Sequence, residues 1–230
     1  MAMRIIVGKP PENPEFHPIQ EGWTPLREPR NMWLLQLVAI PIGILLAILI
    51  GLLAVLLNVF DTLVIDLYDL LALVAIIPVH EFLHAVMFPA RLSSDHVMCG
   101  FWPKACVFYA HYDGVVTRRR FIGVFLAPFL GISVLPLILL KLFAVHNQAF
   151  ILTCAFVNAF GSAGDVLGVL LILFQVPRKA KLRNQGFRTY WKAPEAGARR
   201  LNASQGSLEG AGSYQVSRAR GVPQEGESMH

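Results

Sequence analysis

The stretch LLALVAIIPVHEFLHAVMFPA, Leu70–Ala90, places His80, Glu81 and His84 inside an otherwise apolar run. A run of this length can cross the hydrocarbon of a bilayer, which takes about 20 residues. Ionisable groups at such depth are costly, and they face a protein interior or a watery cavity rather than lipid. The stretch therefore reads as a membrane helix built around a polar site.

Three more apolar blocks flank this one. Met32–Phe60 contains no charged residue. Phe121–Val145 carries Pro128, Gly131 and Pro136, which predict a kinked or broken helix. Gln148–Val176 carries Asn158, Ser162 and Asp165 and is ended by Pro177. The second block itself spans Leu67–Phe88. Apolar residues make up 55% of the chain and charged residues 15%, against about 25% charged in a soluble domain. That balance and a mean hydropathy of +0.53 exclude an ordinary soluble domain. The net charge of +5 does not argue for nucleic acid, because Pro177–His230 alone holds ten Arg or Lys against four Glu. Such a basic flank beside an apolar helix reads as a topology determinant near anionic lipid. Cys99, Cys106 and Cys154 imply no closed disulfide framework.

These blocks predict an all-α integral membrane protein of about four transmembrane helices. Residues 1–31 form a polar, proline-rich segment with a short strand at Arg4–Val7. Residues 32–176 form the helical core, with an inserted loop at 91–120. Residues 177–230 form a basic, largely disordered tail. Within the loop, Asp113–Gly114 predicts a small cytoplasmic hairpin of Val107–Tyr112 with Val115–Arg119. Its plainest reading is an amphipathic hairpin on the membrane surface. Basic residues cluster at Arg27 and Arg30, in the loop, and at Arg178–Arg183. Both termini and the loop are accordingly expected on the cytoplasmic side of the cell membrane, with Asp61, Asp66 and Asp69 outside.

His80-Glu81-Phe82-Leu83-His84 is an HExxH motif. On a helix, positions i and i+4 share a face, so both imidazoles can ligate one zinc ion. Glu81, at the edge of that face, can take the proton of an attacking water. A catalytic zinc needs a third protein ligand, and Ala85–Ala90 offers no acid. Asp165, the one acidic residue between Asp113 and Glu195, is the candidate. It ends a polar stripe of Asn158, Ser162 and Asp165. Under the expected topology it lies at a depth similar to the histidines, roughly 8–16 Å below the cytoplasmic surface at 1.5 Å per residue. A buried carboxylate that only accepts bonds from Asn158 or a histidine is the other reading of Asp165. His96 and His111, in the loop, are not counted as ligands.

PVHEFLHA at Pro78–Ala85, FLAPFL at Phe125–Leu130 and NAFGSAGD at Asn158–Asp165 together resemble a bacterial family of uncharacterised membrane zincin peptidases related to the site-2 proteases. The resemblance spans roughly Leu67–Val176. It implies His80, His84 and Asp165 as zinc ligands and Glu81 as general base. It implies for Asn158 the asparagine that orients substrate or the developing oxyanion. Val166 stands where the site-2 pattern has a glycine after the aspartate. The implied activity is zinc-dependent endoproteolysis of membrane or membrane-adjacent protein substrates, with the lipid bilayer as the other partner. The resemblance also implies strands beside the site, where a substrate segment adds as a further strand; Phe108, Tyr109 and Tyr112 would line that entry. A non-catalytic zinc-binding scaffold or transporter component is the alternative.

Overall fold

The computed structural model describes residues 4–29, 31–59, 67–143 and 148–194. Asp61 and Asp66, the His146–Asn147 link and the tail beyond 194 lie outside the described residues. The described residues up to Lys192 belong to one compact unit.

Helix α1, Met32–Leu57, starts where the Asn31 side chain accepts the Trp33 N–H. It stops at Asn58, which adopts the left-handed conformation (φ 58°) that asparagine tolerates better than most residues. Its 26 residues span about 39 Å. One face, Leu46, Ile50 and Ala54, packs on Leu152, Ala155 and Ala159. The rest is bare: Leu37, Leu45, Leu52 and Leu56 are exposed, as lipid contact requires. Helix α2 is Leu67–Met87.

Helix α3, Arg118–Pro128, continues through a π-helical turn, Phe129–Val134, into α4, Leu135–Leu142. The π turn lies between Pro128 and Pro136 and bulges the backbone at the level of the site. Helices α5, Gln148–Gly161, and α6, Ala163–Gln175, meet at an angle of 46°. The break falls at Ser162, whose amide and hydroxyl both donate to the Asn158 carbonyl. A side chain competing for a helix carbonyl bends the helix there.

The polar segments carry the surprise. Strands β1 (Arg4–Val7), β3 (Val97–Trp102) and β4 (Val107–Tyr112) form one sheet in the order β1-β3-β4. Strand β1 runs parallel to β3, with Arg4 beside Met98 and Val7 beside Phe101. Strands β2 (Thr24–Pro25), β5 (Val116–Thr117), β6 (Lys181–Gln185) and β7 (Arg188–Lys192) form the second sheet, in the order β2-β7-β6-β5. The first sheet packs on α2 and α3 through Ala85, Phe88, Val97 and Val124. The second packs on the ends of α3 and α6 through Leu26, Val116, Phe121, Ile172, Val176 and Leu182.

The expected all-α, four-helix bundle is therefore wrong: the fold is mixed α/β. Among the described residues two helical segments, Met32–Leu57 and Arg118–Leu142, are long and apolar enough to cross a membrane. The bent pair α5–α6 makes a third if it counts as one span. The described apolar part of α2, Val74–Met87, is shorter than a span. The apolar blocks are where the sequence puts them, but the polar segments between them pair at long range. The expected hairpin also changes partner. Strand β4 occupies Val107–Tyr112 as predicted, yet it pairs with β3, and β5 pairs with β6.

Gly100 lets these strands close. A Cβ there would sit 2.5 Å from the Tyr109 hydroxyl and 2.7 Å from the Ile6 carbonyl oxygen. The Tyr109 hydroxyl passes over Gly100 to donate to the Gly8 carbonyl. Because one of the obstructing atoms is backbone, Gly100→Ala is expected to cost about 1–3 kcal/mol. Thermal unfolding in detergent measures it as a lowered midpoint.

Candidate metal centre

Helix α2 presents His80 and His84 one turn apart, with ring centroids 4.9 Å apart. The break at Ser162 restarts the helix as α6 and puts Asp165 in its first turn. The three side chains converge. His80 Nε2 lies 3.1 Å from Asp165 Oδ2, His84 Nε2 lies 3.3 Å from Asp165 Oδ1, and the two Nε2 atoms are 3.2 Å apart. A tetrahedral ion with bonds of about 2.0–2.1 Å holds its ligand atoms about 3.3–3.4 Å apart. Each of these separations is close to that edge, with the two histidines facing different oxygens of the one carboxylate.

The tautomers follow from the partners. His84 Nδ1 is 2.8 Å from the Val124 carbonyl, which can only accept, so Nδ1 carries a proton. His80 Nδ1 is 2.8 Å from Asn158 Oδ1. The Asn158 Nδ2 donates to the Pro128 carbonyl and to Ser133 Oγ, which fixes the amide with its oxygen toward His80. Both rings therefore donate from Nδ1 and turn Nε2 inward. Two Nε2 lone pairs and a carboxylate in van der Waals contact repel unless a cation or a proton lies among them. Outer partners that set the tautomer and leave Nε2 to the metal are the usual surroundings of ligating histidines. This His80, His84 and Asp165 cluster can coordinate a metal ion.

Glu81 faces a different way. Its carboxylate lies near the backbone of Ala110 on β4. It lines a cavity of about 520 Å³ that runs from His80 and Asp165 out to both sheets. The cavity lining includes Phe108, Tyr109 and Ala110 of β4 and Asn184, Gly186 and Thr189 of the β6–β7 hairpin. Of the residues singled out from sequence, Glu81, His80 and Asp165 border the cavity, and His84 lies just behind. Asn158 is 2% exposed and sits behind His80 with both ends of its amide engaged.

Several residues of the site escaped the sequence reading. Val124 contributes a carbonyl, which no residue type encodes. Ser133 and the β6–β7 hairpin looked like ordinary helix and tail. His111 lies in the cavity wall, and burial pushes its pKa down to about 4, which keeps it neutral. Glu28 also borders the cavity and accepts the Thr189 N–H. Burial raises its carboxyl from 4.5 to about 7. An acid whose folded pKa is raised loses stability as pH climbs from the unfolded value through the folded one. Glu28→Gln is therefore expected to raise the melting midpoint at pH 8 and to change nothing at pH 4. Equal midpoints at both pH values would remove burial as the cause.

Residues 73–181, just under half of the chain, match a family model described as "putative zincin peptidase". The chain is similar to that family over the region that holds all three donors and Glu81. No curated protein and no solved structure matches the chain. The apolar spans, the family likeness and the cluster make this a membrane-associated protein with a metal-binding type of site.

Proposed function

We propose that the chain is a zinc-dependent, membrane-embedded endopeptidase acting on membrane or membrane-adjacent protein segments. The observation that carries this reading is the convergence of two Nε2 atoms and one carboxylate at the spacing of a tetrahedral site, beside a glutamate that takes no part in the cluster and faces a cavity. His80, His84 and Asp165 hold the zinc, and Asn158 and the Val124 carbonyl hold the two rings in place. Bound there, zinc supplies a Lewis acid for the scissile carbonyl. Glu81 takes a proton from the attacking water as its oxygen adds to the carbonyl carbon. Glu81 then gives that proton to the amine nitrogen as the C–N bond breaks.

Strand β4 is an edge of its sheet and carries Phe108, Tyr109 and Ala110 along the cavity. An extended substrate segment adds there as a further strand, which brings its main chain past Glu81. The sheets flank the ends of α1, α2, α3 and α6 that carry the Arg and Lys clusters, so we place this face in the cytoplasm. A zinc scaffold or transporter component would have no use for Glu81 in the cavity wall.

Metal removal tests the proposal. Protein stripped with a chelator and reconstituted in vesicles is expected to lose cleavage of a reporter that carries a transmembrane segment. Cleavage is expected to return as zinc reaches about one ion per chain. Cleavage that survives complete removal of zinc would overturn the mechanism.

A further inference from the structure

We propose that Asn184, on the hairpin that follows the last apolar helix, binds the main chain of the peptide in the cavity. This rests on the endopeptidase reading and adds to it a substrate-binding residue outside the matched region, which ends at 181.

The hairpin's inward face should be apolar by its own pattern. Leu182 on β6 and its cross-strand partner Trp191 on β7 meet the core formed with Phe121 and Ile172. Strand alternation places the next inward pair at Asn184 and Thr189, which are also cross-strand partners. Here the face turns polar at the point where it leaves the core and reaches the cavity. The Asn184 Oδ1 is buried and has no hydrogen-bond partner among the described residues. A buried polar atom without a partner calls for an explanation, and a ligand in the adjoining cavity is one. Asn184 borders the main cavity and also a smaller one of about 160 Å³, and in both it shares the wall with Glu81, Ala110 and Asp165.

The hairpin is held firmly enough to aim a side chain. Arg183 pairs with Asp113 at 2.9 Å, and the Gln185 amide bonds both the N–H and the carbonyl of Asn13. A carboxamide offers a donor and an acceptor side by side, which complements the C=O and N–H of a peptide unit. Asn184 therefore offers its carboxamide to the main chain of an extended peptide in the cavity it lines together with β4.

The test uses zinc-loaded, full-length protein in detergent and two probes, trileucine hydroxamate and acetohydroxamate. The first carries a peptide main chain and the second has only the metal-binding group. Asn184→Leu and Asn184→Ala are expected to weaken trileucine hydroxamate about tenfold and leave acetohydroxamate unchanged. Asn184→Leu is also expected to raise the melting midpoint by about 2–4 °C, because it replaces an unpaired buried polar atom with a side chain of the same branching. A purely structural Asn184 would lower the midpoint and spare the ratio of the two affinities. Equal affinity of wild type and both variants for trileucine hydroxamate would overturn the assignment alone. Failure of acetohydroxamate to bind wild type would overturn the metal reading, and this one with it.

Discussion

Glu81→Gln is expected to keep about one zinc per chain while peptide cleavage falls about 10²–10⁴-fold, the usual contribution of a positioned general base. The amide has nearly the same size as the carboxylate, so the cavity wall should not move. What it lacks is a site for the proton of the attacking water. The donors His80, His84 and Asp165 contact one another and need nothing from Glu81, so metal content should be indifferent to the change. Zinc content and turnover of a membrane-anchored reporter are measured on the same preparation. Undiminished cleavage would sink the mechanism, and loss of zinc would make Glu81 a ligand.

Asp165→Ala is expected to lose both zinc and activity. The carboxylate offers one oxygen to each histidine, and without it two neutral imidazoles remain at 3.2 Å with no carboxylate paired to either. Loss of an outer partner such as Asn158 typically costs roughly 10–100-fold in metal affinity, and loss of a ligand should exceed that. Zinc titration against a competing chelator ranks the two. An Asp165→Ala protein with a smaller deficit than Asn158→Ala would move Asp165 out of the ligand set and leave it as a structural acceptor.

The three candidate metal ligands were legible because two are local and the third stands alone in its block. His80 and His84 are four residues apart on an apolar helix, and Asp165 is the one acid in its block. What surrounds them was not legible. The carbonyls of Val124 and Pro128 fix the tautomers of the site, and a carbonyl has no residue signature. Strand β1 pairs with β3 across some ninety residues, so no window along the chain can see both. The apolar blocks were read well as blocks, but the break at Ser162 depends on a hydroxyl reaching the Asn158 carbonyl. The hairpin expected at Asp113–Gly114 does not form, since β4 pairs with β3 and β5 with β6. In Lys181–Lys192 the alternation of Leu182 with Asn184 is too short to register. The one local hint was Gly186, which adopts φ 60° between the two strands.

The central claim is that His80, His84 and Asp165 hold one zinc ion. X-ray absorption at the zinc edge of the purified wild-type protein tests it most directly. The account predicts about one zinc per chain, with two imidazole ligands and at least one oxygen at about 2.0–2.1 Å and no sulfur. A sulfur ligand near 2.3 Å, or zinc that stays bound in the His80→Ala, His84→Ala, Asp165→Ala triple variant, would place the metal elsewhere and contradict it.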